Sequence, residues 1–210
     1  MRTKTLDDNT EASHPGNVLL SHAKLERLQP ELFSITKWLG FLARNPSAMF
    51  AAVERSYWKT HIEEHLMYGD GRAALVVSTS PLLISAYTDE IDCVALLRFE
   101  SSLVSEYGLI VGSRLLTVNT YSSFEKSYEE DLTAGPGAER LYGNFSPFIA
   151  EFLTDELAET EQRKTQIQES EWLRTEKLSS EYLSRSYAKA RDGRPLLSIL
   201  PANLPMTTYP

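Results

Sequence analysis

At 210 residues the chain can bury a sizeable core, and a net charge of −8 with a pI near 5.1 denies it the basic footprint that nucleic acid or an anionic membrane surface requires. A single cysteine, Cys93, excludes an intrachain disulfide and fits a reducing compartment, so a cytoplasmic location is expected. No apolar run reaches the ~18 residues of a membrane helix, and the polar start lacks the apolar stretch of a secretory signal.

Residues 1–16 are polar and end in Pro15-Gly16, which reads as a disordered arm. A short helix is expected from Asn17 to Leu28, broken at Pro30. A second runs from Glu31 to Arg44, with Leu32, Ile35, Leu39 and Leu42 at helical spacing. The third, Ser47 to Tyr68, has the clearest signals. Asn45 and Pro46 suit a helix start, and Gly69 and Gly71 suit a left-handed stop. The last two helices form the expected N-terminal helical pair.

The pattern then changes to short apolar runs split by turn residues. Ala73–Ser78, Leu82–Tyr87, Ile91–Phe99 and Gly112–Tyr121 read as consecutive antiparallel strands. Val94 to Leu97 is apolar at successive positions, so both faces of that strand are expected to be covered. Cys93 lies in this strand and reads as a small buried hydrophobe. Ser146-Pro147 reads as the start of a C-terminal helical segment reaching about residue 191. Its middle, Ala158 to Glu171, is almost all polar and suits a solvated helix carried by local ion pairs. It reads either as two helices with a wet turn or as an arm that pairs with another helix; heptads are not sustained, which favours the first. The tail from 192 to 210 holds four prolines among apolar residues and is expected to be extended and to dock.

One stretch carries a chemical motif. His61-Ile62-Glu63-Glu64-His65 places two imidazoles one helical turn apart, where both can reach one zinc ion with a glutamate beside them. THIEEHLMYGDG resembles the zinc helix of pitrilysin-type metallopeptidases, with aromatic and methionine residues just after the second histidine. The resemblance implies His61 and His65 as ligands, Glu64 as the base and Glu139, some seventy residues on, as third ligand. No nucleophile elbow, dinucleotide fingerprint or Walker loop is present.

The expected architecture is an α+β core domain over 17–145: a helical pair and a mostly antiparallel sheet of about four strands, followed by the helical segment 146–191. The leading expectation is a non-catalytic interaction or assembly protein, bound to a protein partner or to itself, with Leu157, Ile167 and Trp172 as candidate contact residues and no cofactor. A zinc-dependent hydrolase built on the H-x-x-E-H helix is the alternative. A small-ligand-binding domain, with its site between helix and sheet, is the third.

Overall fold

The computed structural model describes residues 12–34, 50–123, 127–186 and 188–195. The Asn45-Pro46 cap, most of the expected second helix and the tail from 196 onward lie outside the described residues. In chain order the elements are α1 (His22–Leu28), α2 (Pro30–Phe33), α3 (Phe50–Tyr68), β1 (Asp70–Thr79), β2 (Leu82–Thr88), β3 (Cys93–Phe99), α4 (Ser102–Tyr107), β4 (Arg114–Ser123), β5 (Tyr142–Ile149), a 3-10 turn (Ala150–Phe152), α5 (Leu157–Lys164), α6 (Glu169–Leu183) and β6 (Arg191–Asp192).

The α+β class is observed, but the sheet has six strands in the order β5-β4-β1-β2-β3-β6. Its pairings are antiparallel except β3 with β6. The helix expected to open at Ser146-Pro147 is instead strand β5, with Asn119 opposite Pro147. Proline lacks a donor, and an edge strand is where a sheet tolerates that loss. The C-terminal helical segment is therefore shorter than expected and divided: α5 and α6 are separated by a turn at 165–168, and 191–192 return to the sheet.

The sheet curls until its two edges meet. Arg191 on β6 donates to the Phe145 carbonyl on β5 (2.7 Å) and to Asn144 Oδ1 (2.8 Å), while its Nε and Nη2 grip Asp131 at 2.6 and 2.9 Å. Within the curl Asn119 Nδ2 donates to the Tyr87 carbonyl (2.8 Å) and Thr88 Oγ1 to Tyr121 Oη (3.0 Å), linking strands that are not neighbours. Strand alternation sorts the core. Ala74, Val76, Ile84, Ala86, Leu97 and Leu115 cluster on one face with Phe99 and Phe152. Ala73 and Leu75, with Val94 and Leu96, face α6 through Trp172 and Tyr182. Both faces of β3 are thus covered. Leu116, Val118 and Phe148 lie on the outer side against α1 and the Ile62–Leu66 turn of α3.

Gly69 ends α3, but not by the expected left-handed turn: the described glycines with positive φ are Gly108 and Gly112. The requirement is space, since a Cβ there would lie 2.6 Å from His65 O and 2.7 Å from Asn119 O. Residues 14–18, expected within or beside a disordered arm, run along the end of α3. The N–H groups of Gly16, Asn17 and Val18 donate to the carbonyls of Gly69, Met67 and Leu66 at 2.8–3.1 Å. They satisfy acceptors that a helix end otherwise leaves open.

Gly193 yields a direct test of the β3–β6 closure. A Cβ at this position would sit 2.2 Å from Phe99 Cζ. Gly193→Ala is expected to cost about 1–3 kcal/mol of unfolding free energy in urea, because the Phe99 ring is packed and must shift. A loss below about 0.5 kcal/mol, the scatter of a neutral surface change, would mean that the chain is not pressed on Phe99.

Candidate functional site

The histidine helix is where the motif placed it, but its imidazoles are used for packing. His65 is fully buried and stacks on Phe148 at 3.7 Å between centroids. Its Nε2 is 2.8 Å from the Val118 carbonyl and its Nδ1 is 3.2 Å from Thr120 Oγ1. The Val118 carbonyl can only accept, so Nε2 donates to it, and the Thr120 hydroxyl can serve Nδ1 in either role. His61, also buried, lies against Tyr57 and Trp58. Glu64 is half-buried on the same helix. Glu139 is exposed in the β4–β5 connection, where its N–H donates to the Glu90 carbonyl at 3.2 Å. No group of three or more His, Cys, Asp or Glu among the described residues is arranged to hold a metal ion.

The three candidate contact residues separate. Trp172 is buried on Ala73 and Leu75, with the Arg114 guanidinium 4.9 Å over its ring. Leu157 is exposed at the start of α5. Ile167 is half-buried in the α5–α6 turn, where it lines a cleft.

Among the described residues, that cleft is walled by a network of charged side chains. It encloses about 540 Å³ between the end of the sheet, the α5–α6 turn and the segment His14–Gly16. Arg72, the charged residue at the head of β1's apolar run, is its anchor. The guanidinium meets three carboxylates: Asp70 at 2.6 Å, Asp89 at 2.5 Å and Glu171 at 3.4 Å. Asp70 and Arg72 are both buried. Glu171 also accepts from the Ala73 N–H at 2.8 Å, so α6 is stitched to the sheet through a side chain. Next to this group, Arg174 grips Asp92 with two hydrogen bonds of 2.9 and 2.7 Å. Asp92 takes φ 49°, a left-handed turn conformation that short polar residues tolerate. Gly137 N–H and Tyr87 O–H also approach its carboxylate, at 3.2 and 3.4 Å.

The electrostatics follow from burial. Burial pushes the Asp70 and Glu171 carboxyls above their ordinary range, against the pull of Arg72. Burial and the neighbouring Asp92 push the Tyr87 hydroxyl up as well. Asp92 goes the other way: burial would raise it, but the Arg174 and Gly137 hydrogen bonds outweigh that and hold it low. The Cys93 thiol is pushed up by burial, as an inert core residue should be. Asp89 Oδ1 is shielded from solvent and has no hydrogen-bond partner among the described residues. Gln166, Gln168 and Ser170 add side chains that both donate and accept, and Arg163 adds a further guanidinium to the wall.

Sequence patterning missed this site. Asp89 reads as part of a turn and Glu171 as part of a solvated helix face. The one signal was Asp70-Gly71-Arg72 directly before an apolar strand, since charges at a strand's buried end need partners. The helix reading of local ion pairs holds only in part. Lys164 pairs with Glu161 (2.6 Å) but also with the buried Glu151 (3.1 Å), and Arg114 on β4 pairs with Glu169. Comparison of the chain with family models, with curated proteins and with solved structures gives no match.

Proposed function

We propose that this chain is a binding domain for a small polar molecule held in the cleft beside Arg72. The observation that carries it is the cleft itself, about 540 Å³ and walled by an ordered charge network. That volume falls in the range of small-molecule sites, roughly 300–1,000 Å³. The apolar floor of Leu116 and Ile167 and the Tyr87 ring favour a ligand with a compact apolar body. The Asp89, Asp92 and Glu171 carboxylates on the wall favour a donor-bearing head, such as an amine or guanidinium.

A thermal-shift panel tests this reading. Agmatine and putrescine represent cations, phosphate and malonate anions, and inositol a neutral polyol. At a hundredfold excess over Kd a true ligand raises Tm by roughly 5–10 °C in a chain of this size. The rise should saturate and should vanish in Gln168→Trp, which fills the cleft from an exposed wall position. A panel without any saturable effect, or one whose effects survive Gln168→Trp, would remove the cleft as a binding site.

Association with a protein partner keeps one specific support. Ile110 and Val111 are 70% and 63% exposed on a turn braced by Gly112 N–H to Val76 O (2.8 Å) and Ile110 N–H to Ser113 Oγ (2.9 Å). A braced turn that holds two aliphatic side chains in water suits insertion into another protein. In its self-association form, sedimentation should show a concentration-dependent oligomer that Ile110→Asp dissolves. A monomer at all concentrations would exclude that form.

A further inference from the structure

We infer that the ligand of the cleft is a zwitterion, an ω-amino or ω-guanidino carboxylic acid whose carboxylate is received by Arg163. This rests on the cleft being a binding site. The ligands that test it differ only at the carboxylate, so the two can fail separately.

Three arginines and three acidic residues line the cleft. Two of the arginines are committed. Arg72 meets Asp70, Asp89 and Glu171, and Arg174 grips Asp92 with two hydrogen bonds. Arg163, in the last turn of α5, is not committed. No described carboxylate pairs with it. Its one hydrogen bond among the described residues runs from Nη1 to the Pro15 carbonyl at 3.5 Å, longer than a good bond of this type. A guanidinium carries several N–H donors in a planar fork, so most of this one's capacity is unused, at a half-buried position on the wall. Such a fork matches a carboxylate with two parallel hydrogen bonds.

The charges come from separate elements. Asp89 and Asp92 belong to the β2–β3 turn, Glu171 to the first turn of α6 and Arg163 to α5. The floor beside them is Leu116 and Ile167, which suits a short alkyl chain. A plain cation on Asp89 and Glu171 enters a wall whose acids are already matched in number by arginines, and it leaves Arg163 uncompensated. A plain anion on Arg163 meets the same acids with the wrong sign. A zwitterion serves both ends and brings no net charge into the cleft. An analogue that lacks one end leaves its partner unpaired, which is how a polar site rejects it.

Isothermal titration of the full chain with matched pairs tests this. The acids are 3-aminopropanoate, 5-aminopentanoate and 4-guanidinobutyrate. Their partners are propylamine, pentylamine and butylguanidine, each with a methyl in place of the carboxylate. At least one acid should bind ~10-fold or more tighter than its partner, as expected of a charge-assisted pair. Arg163→Gln should bring that acid down to its partner's affinity and leave the partner unchanged. Because Arg163 makes one long hydrogen bond, the variant should melt as the parent does. Arg163→Lys keeps the charge without the fork and should retain part of the preference. Equal binding within every pair, or a preference that survives Arg163→Gln, would overturn the zwitterion and leave the cleft as a binding site. Binding of neither member of any pair would also overturn it, and the thermal-shift panel then decides the cleft by itself. If Arg163→Gln does not fold, the pairs in the unaltered chain decide, and equal affinities overturn the assignment.

Discussion

Arg191→Met is expected to lower the unfolding free energy by about 3–5 kcal/mol, the cost of leaving a buried charge without its partner. For a chain of this length that corresponds to a fall in Tm of roughly 10–15 °C. The argument rests on Asp131, whose side chain is 2% exposed and whose two oxygens both accept from Arg191. Removing the guanidinium strands that carboxylate in the interior. It also removes the donors to Asn144 and to the Phe145 carbonyl on β5, which tie the last strand to the first edge of the sheet. Urea denaturation of the single variant and of Arg191→Met/Asp131→Leu separates the two contributions. The double variant should recover most of the loss, because an apolar pair replaces a buried ion pair at little net cost. A single variant within about 1 kcal/mol of the parent would mean that the sheet edges are held together by something else.

Arg72→Met should cost a similar amount, about 3–5 kcal/mol near neutral pH, but with a distinct pH signature. Three carboxylates share this guanidinium. Burial already holds Asp70 and Glu171 above their ordinary values of 3.8 and 4.5, and loss of Arg72 pushes both higher. Between those ordinary values and the raised folded ones, the folded chain binds more protons than the unfolded chain. Stability therefore rises as pH falls through that window. The deficit of Arg72→Met should be largest near neutral pH and shrink steadily as acid protonates Asp70 and Glu171. A deficit that is constant with pH, or one that grows in acid, would show that these carboxylates do not depend on Arg72. The same variant should abolish any saturable ligand response, since the cleft wall loses the group that orders Asp89 and Glu171.

The two variants probe different places where charge has been taken out of water. Arg191 closes the sheet on itself, whereas Arg72 closes α6 and the N-terminal segment onto the sheet's end. In both, side chains complete connections that the backbone ladder cannot make. Arg191 sits on β6, which pairs with β3, while its side chain reaches the opposite edge strand β5, and the Glu171 carboxylate accepts a β1 amide N–H directly.

Local chemistry determined the elements whose neighbours in sequence are also their neighbours in space. The four strand runs, the end of α3 at Gly69, the break at Pro30 and the buried, inert Cys93 all follow from alternation, turn residues and hydropathy. The double-sided apolar pattern of β3 announced two covered faces, and both are covered. Where the fold departs from these expectations, the reason is tertiary. Ser146-Pro147 reads as a helix start, yet an open sheet edge beside β4 recruits it as a strand, because edge position removes the penalty for proline. The imidazoles of His61 and His65 suit zinc by spacing alone. In the fold the ring of His65 meets Phe148, Val118 and Thr120, partners fifty or more residues away in sequence. The cleft was invisible because its charges come from the start of the sheet, a turn and the first turn of α6, each unremarkable alone. Only the curl of the sheet, and the desolvation that follows, forces Asp70, Arg72, Asp89 and Glu171 to solve their charge balance together.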